Sequence, residues 1–253
     1  MHSPKLNWLL SQLPEEDYDR LAPHLELMGL DTGKQLFHTG QLYTDIFFPT
    51  TCTVSAQIQL EQGNSTDIYL LGTRGLFGTG PPQRGTYFRA IVRKPGFAYR
   101  CPTEIYMREM TRGGGVMMIS LMAMRIMMEE MATNISCRTF HSVGQQVARW
   151  LISYGQGEAI ETIHITHSEL ANALGVRREA VTLALNEAER HGSVSLNRGH
   201  VRVLNYELLK SLACNCHTEP TLNKDWSEKE LKGLGDLPSV LENIAVQART
   251  KRR

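Results

Sequence analysis

The chain lacks a long hydrophobic run. Its longest apolar stretch, Val116 to Met124, spans nine residues including Ser120 and ends at Arg125, well short of the ~20 that a membrane-spanning helix needs. No membrane partner is expected. The start, Met1 to Glu16, holds one Lys, no continuous apolar core and no small-residue cleavage site, so it reads unlike a secretory leader and points to the cytoplasm. Charge of one sign is also missing. Lys and Arg number 27 against 26 Asp and Glu, a net charge of +1, so attraction to a polyanion must come from local placement rather than a global field. Cysteine is sparse and odd in number (Cys52, Cys101, Cys137, Cys214 and Cys216), which fits reduced thiols better than a disulfide framework. The sequence contains no GxxxxGK[ST], HExxH or GxSxG pattern. No catalytic residue, cofactor or metal is assigned, and an enzyme is the least supported reading.

What is present is an ordinary folded chain. At about 150 residues per domain, 253 residues give one to two domains, and 42% apolar with 21% charged residues excludes wholesale disorder or a fibre. Leu9, Leu10, Leu13, Leu21, Leu25 and Met28 recur at helical intervals around Pro14 and Pro23, predicting a short helical cap. From Gly33 to about Cys101, short runs of Val, Ile, Phe, Tyr and Thr between Gly- and Pro-rich breaks predict a β module with hairpins. Within it, Thr53 to Leu60 alternates Val54, Ala56, Ile58 and Leu60, which predicts one buried and one wet face. The Gly63-Asn64 pair marks the turn after it.

Thr103 is placed to cap a short helix through Met110, and Gly113-Gly114-Gly115 breaks it before a long helix over about Val116 to Cys137. On that helix Met117, Leu121, Met124, Met128 and Met131 follow a four-three-four-three rhythm, the narrow seam that two packed helices share. An ordinary core helix fits the same spacing, so spacing alone leaves dimerisation open. Ser142 followed by Gln145 is a capping box, and Val143, Val147, Trp150 and Leu151 form the buried stripe of the next helix.

Thr166 to Leu204 is the sharpest signal. Thr166-His-Ser-Glu169 is a second capping box, opening a helix with Leu170, Ala171 and Leu174 inward, which Gly175 stops. A second helix, about Arg177 to His191, buries Val181, Ala184, Leu185 and Ala188, leaving Arg178, Glu179 and Thr182 on the opposite face. Two strands then flank Asn197-Arg198-Gly199. This is a helix-turn-helix with a wing. Arg178 suits guanine O6 and N7 and Glu179 suits cytosine N4, while Thr166, Ser168, Arg177, Thr182, Arg198 and Arg202 complete a candidate DNA-binding set on bases and phosphates. From Ser142 to Asn205 six Arg meet six Glu, so the salt-dependent, sequence-independent part of the affinity should be modest.

Gly175-Val-Arg-Arg-Glu-Ala-Val181 resembles the turn and recognition helix of Crp/Fnr family transcription regulators, and the resemblance extends over about Leu6 to Ala213. It implies an α+β chain: an N-terminal jelly-roll-like β-roll sensor (1–112), a dimerisation helix and hinge (113–141), a C-terminal winged helix-turn-helix (142–213), and a polar tail (214–253) of unassigned role. It further implies a homodimer on a two-fold-symmetric double-stranded DNA site with half-sites about one DNA turn apart, and RNA polymerase as a further partner. Leu183 departs from the family, where the matching position is often polar. Cyclic-nucleotide-binding relatives carry a Gly-Glu pair for the ribose; here the stretch reads Gly75-Leu-Phe-Gly-Thr-Gly80 without a carboxylate, leaving Arg84 and Thr86 as candidate phosphate ligands. A cyclic-nucleotide-responsive regulator is therefore one alternative. A redox- or metal-responsive regulator using Cys214, Cys216 and His217 is another, although zinc sites usually draw on two separated ligand pairs and no second pair is obvious in the sequence. His141, at the hinge, is expected to serve as a capping or polar hinge group. The small-molecule effector is unknown.

Overall fold

The computed structural model describes residues 2–59, 65–79, 85–155 and 162–217. The Gly63-Asn64 turn, Arg84 and the tail beyond residue 217 lie outside them. Two short helices, α1 (Trp8–Ser11) and α2 (Glu15–Leu21), open the chain on either side of Pro14. Asn7 ties this opening segment to the rest of the fold: its Oδ1 accepts from the Leu10 N–H at 3.2 Å, and its Nδ2 donates to the Pro49 and Gly75 carbonyls, each at 2.9 Å. A fully buried Asn is stable there because each polar atom has a partner.

Seven strands come next: β1 (Glu26–Leu30), β2 (Gln35–Phe37), β3 (Asp45–Pro49), β4 (Thr53–Gln59), β5 (Ser65–Leu71), β6 (Arg89–Lys94) and β7 (Gly96–Pro102). They pair antiparallel in two sheets, β1-β7-β3 and β2-β6-β4-β5, with the non-sequential orders of a roll rather than a meander. Aromatic rings fill the space between them, Phe37 edge-on to Phe47 and Tyr43, and Tyr69 against Phe77 and Phe88.

One expectation fails here. β4 has no wet face over Thr53–Gln57: Thr53, Ser55 and Gln57 are as buried as Val54 and Ala56. Alternation marked the polar side correctly, but another part of the chain covers it. The buried polar side chains are satisfied. Thr53 donates to the Tyr154 carbonyl at 3.2 Å, Ser55 accepts from Arg93 Nε at 3.0 Å, and Gln57 donates to Asp67 at 3.0 Å.

Helix α3 (Thr103–Thr111) leads to α4 (Gly115–Phe140). Thr103 does not cap α3; the cap position is Pro102, with no side-chain bond, and Thr103 is the first helical residue with a buried, unpartnered hydroxyl. Pro102, at the cap position, offers no side-chain acceptor to the first N–H groups of α3. Gly113 and Gly114 adopt φ of 79° and 76° to turn the chain, and Asp17 Oδ2 accepts from the Gly115 N–H at 2.7 Å, a carboxylate at the positive end of α4. Between the helices, the Tyr106 and Ser120 hydroxyls meet at 2.6 Å. α4 runs three residues beyond the expected Cys137. Val116, Ile119, Met122, Ala123 and Ile126 face the roll, whereas Met117, Leu121, Met124 and Met128 are 37 to 59% exposed. Met131 instead packs partly against the roll, and the exposed line resumes at Ile135.

The remaining elements are α5 (Val143–Gly155), β8 (Thr162–His164), α6 (His167–Leu174), α7 (Arg178–Arg190), β9 (Val194–Asn197), β10 (His200–Val203) and α8 (Tyr206–Leu212). Val147, Leu151, Leu170, Val181, Leu185, Val201 and Leu209 form their core. Sequence reading missed β8, which pairs with β10, and α8, whose Asn205 cap accepts from the Leu208 N–H at 2.9 Å. This second core sits directly on the outer face of β4 and β5. Thr66 donates to the Ala173 carbonyl at 3.3 Å, Arg138 bridges the Asp67 and Ala173 carbonyls at 2.5 and 3.0 Å, and Leu70 packs into the second core.

Candidate nucleic-acid interface

The helix-turn-helix is built by the local signals expected of it. Thr166 and Glu169 complete a reciprocal capping box: the Thr166 hydroxyl accepts from the Glu169 N–H at 3.1 Å, and Glu169 Oε2 accepts from the Thr166 N–H at 2.7 Å. Gly175, at φ 70°, ends α6 in the left-handed conformation. The Gly175 and Val176 N–H groups close the turn on the Ala171 and Asn172 carbonyls. Val176 packs against the buried core and aims α7 outward.

At the start of α7, Arg177, Arg178 and Glu179 are exposed, and among the described residues none of the three makes an ion pair or a side-chain hydrogen bond. Unpaired charges at the entry of an exposed helix are available to an external partner at no internal cost. Leu183, one turn on, is 71% exposed, an apolar contact suited to a thymine methyl. Thr182 is half-buried; its hydroxyl donates to the Arg178 carbonyl at 3.0 Å and meets His167 Nδ1 at 2.9 Å, tying α7 to α6. Thr166 is likewise engaged in its cap, while Ser168 is exposed beside it. The wing is a two-residue loop, Arg198-Gly199, between Asn197 and its strand partner His200, with Gly199 at φ 82°. Arg198 and Arg202 are exposed on it. Glu189 Oε1 accepts from the Leu196 N–H at 2.7 Å, holding the wing to the end of α7. Near the other end of α7, Arg190 pairs with Glu187, and His191 Nε2 lies 2.9 Å from the second oxygen of the same carboxylate.

Residues 145–212 match the family model of the Crp-like helix-turn-helix domain. The chain carries a Crp-like helix-turn-helix domain. The fold of the whole described chain agrees. A protein assigned to the Crp/Fnr family from Eubacterium rectale ATCC 33656 superposes with a TM-score of 0.64 at 21% identity, covering 82% of this chain and 98% of that one. FixK2 from Bradyrhizobium japonicum gives 0.61 at 12% identity over 75% and 98%. A Crp/Fnr-family transcriptional regulator from Thermus thermophilus gives 0.57 at 19% identity over 74% and 98%. No curated protein sequence matches the chain. The overall fold is similar to that of these solved structures, with the Crp-like domain behind an antiparallel β-roll and a long helix. None of the described helices is long and apolar enough to cross a membrane.

In the β-roll, Thr86 is buried, and its hydroxyl lies 2.9 Å from the His38 carbonyl and 2.6 Å from the Phe88 carbonyl. Leu76 and Phe77 of the Gly75–Thr79 stretch are buried in the roll. Near the hinge, Cys214 and Cys216 meet two groups that were not expected beside them, Cys137 and His141. Cys137 and His141 thus supply a second pair of groups that could bind a metal, one that was not obvious in the sequence. The four-residue spacing of Cys137 and His141 puts them together at the end of α4, but their approach to Cys214 and Cys216 depends on the chain returning after α8. The His217 side chain is outside the described part of the chain. Burial pushes the Cys137 and Cys216 thiols up from their ordinary value.

Proposed function

We propose that the protein is a homodimeric, sequence-specific DNA-binding transcription regulator acting on a two-fold-symmetric site. The observation that carries this is the exposed, unpaired Arg177-Arg178-Glu179 entry of α7, flanked by the wing cations Arg198 and Arg202. Arg178 donates twice to a guanine edge, Glu179 accepts from the neighbouring cytosine, and Leu183 touches a thymine methyl. Ser168, Arg198 and Arg202 hold phosphates and fix the register. Thr166 and Thr182 serve chiefly as the braces of α6 and α7, with backbone contact to DNA at most through the same cap.

Dimerisation is supported by the line Met117, Leu121, Met124, Met128 and Ile135, which the chain leaves exposed along one side of α4 at coiled-coil spacing. Two copies joined there place their recognition helices for successive major grooves. Recruitment of RNA polymerase to the bound site and a cytoplasmic location complete the reading. The aromatic filling of the roll and the absence of a carboxylate in Gly75–Gly80 favour a signal other than a cyclic nucleotide.

The test is binding of the purified protein to DNA fragments from upstream of its own gene, with competitor DNA, across a salt series, with and without cyclic nucleotides. Selective binding without additive, lost in Arg178→Ala, supports the reading. Binding that depends on a cyclic nucleotide overturns the view of the roll, and equal affinity for all sequences overturns specific readout.

A further inference from the structure

Where α4 ends, four metal-binding side chains converge from distant parts of the chain. Cys137 lies in the last turn of α4 and His141 caps its C-terminus; Cys214 and Cys216 come after α8, at the far end of the DNA-binding module. Their ligating atoms all lie within 4.8 Å of one another. Cys137 Sγ is 3.5 Å from Cys214 Sγ, and Cys216 Sγ is 3.6 Å from His141 Nδ1.

Two of these separations can be compared with known bond lengths. A disulfide holds its sulfurs about 2.05 Å apart, so Cys137 and Cys214 are not bonded. A tetrahedral zinc ion, with bonds of about 2.3 Å to sulfur and about 2.0–2.1 Å to nitrogen, spaces its ligands about 3.8 Å apart for two sulfurs and about 3.6 Å for sulfur and nitrogen. Both observed edges fall near these values. The donor set, three thiolates and one imidazole, is one that structural zinc sites use.

The surroundings suit an ion. Cys137 and Cys214 are buried, while Cys216 and His141 are half-buried, giving an entry path from one side. Zinc with three thiolates and a neutral imidazole carries one net negative charge. The Arg149 guanidinium lies beside the site: Arg149 Nε donates to the Cys216 carbonyl at 3.3 Å, and the same group faces Glu130 Oε2 at 3.8 Å. Arg149 is itself fixed by Asn134 Oδ1 at 2.6 Å. The His141 carbonyl accepts from Gln146 Nε2 at 2.9 Å, which steadies the hinge backbone carrying the imidazole. Such outer contacts orient metal ligands.

We infer that Cys137, His141, Cys214 and Cys216 form a tetrahedral zinc site that clamps both ends of the DNA-binding module to the end of the long helix. The nitrogen ligand is His141. The site closes a loop containing α5 to α8, so the bound ion fixes the angle at which the module leaves α4. Metal occupancy thereby becomes a second input to DNA binding, separate from whatever the roll senses.

The test starts with metal content of the full chain purified under reducing conditions. One zinc per chain is expected, with Cys216→Ser and His141→Ala losing stoichiometric zinc and His217→Ala retaining it. Both lost ligands are partly exposed, so these variants keep their fold, to be confirmed by circular dichroism. Cobalt substitution gives a readout independent of zinc retention: the wild type should show thiolate-to-cobalt charge transfer and the intense ligand-field bands of a tetrahedral ion, with weaker charge transfer in Cys216→Ser. Metal-free protein that takes up neither ion, or an iron–sulfur spectrum in its place, overturns the inference. Loss of zinc in His217→Ala with retention in His141→Ala overturns the ligand set. Zinc content is measured without DNA, so failure here leaves the reading of the recognition helix standing.

Discussion

Met124→Asp is the substitution that bears most directly on how two chains join. Met124 is 49% exposed on α4, midway along a line with Leu121 at 49% and Met128 at 59%. The chain's own packing does not use the exposed half, so the variant should fold as a single chain with an unchanged circular dichroism spectrum. In a symmetric dimer each contact occurs twice. Covering the exposed half of one such side chain contributes about 1 kcal/mol, so the substitution removes about 2 kcal/mol of apolar contact per dimer. It also sets two carboxylates against each other near the two-fold axis, each costing about 1–3 kcal/mol to strip of water. The combined loss is at least about 4 kcal/mol, about a thousandfold in the dimer dissociation constant. Sedimentation velocity over a concentration series reads this directly, and affinity for a two-half-site DNA fragment should fall with it. A variant that sediments as the wild type and binds DNA as tightly refutes the use of this seam.

Arg178→Ala should leave stability unchanged, since the Arg178 guanidinium has no partner among the described residues, and cost about 1–3 kcal/mol on a cognate site with relaxed preference at one base pair; a uniform loss on every sequence would mark a phosphate contact instead. Arg93→Ala strips the cation 2.8 Å from Asp67 Oδ1, whose carboxylate is 5% exposed, and should lower unfolding free energy by about 3 kcal/mol in urea; a midpoint within experimental error of wild type contradicts the pairing. Gly175→Ala forces a side chain into φ 70° with its Cβ about 3.1 Å from Thr66 Oγ1 and should cost about 1–2 kcal/mol; no change in melting would show that the turn relaxes freely. Burial raises the Cys52 and Cys101 thiols to about 12, so a thiol reagent at pH 8 meets almost no thiolate there, and both should label only on unfolding. Labelling of either in native protein at the rate of free cysteine contradicts their burial.

The helix-turn-helix was legible because its signals are local. A capping box, a turn glycine and an apolar stripe at helical spacing each act within a few residues, and each is found where the sequence placed it. The two strands of the wing and the exposed α4 seam are read the same way, from periods of two and of three to four. What escaped depended on distant neighbours. Thr53, Ser55 and Gln57 read as solvent-facing because nothing in β4 itself reveals that Tyr154 of α5, Arg93 and Asp67 partner them. Met131 belongs to the seam by spacing but tilts toward the roll. Cys137 and His141 were visible as residues, yet their link to Cys214 and Cys216 requires the chain to return after α8, which no local pattern records. Thr103 failed for a different reason: the helix starts at Thr103 itself, so its hydroxyl lies inside the first turn instead of capping it.

The covered face of β4 and β5 bears on how the protein can be taken apart. A fragment ending at the hinge would uncover Thr53, Thr66 and Leu70 and strand the Arg138 guanidinium beside one carbonyl instead of two. A fragment beginning at Ser142 would lose the surface that Tyr154 and Ala173 rest on. Each half supplies part of the other's interior, so a sequence graft that exchanges either half among relatives must carry the matching face with it.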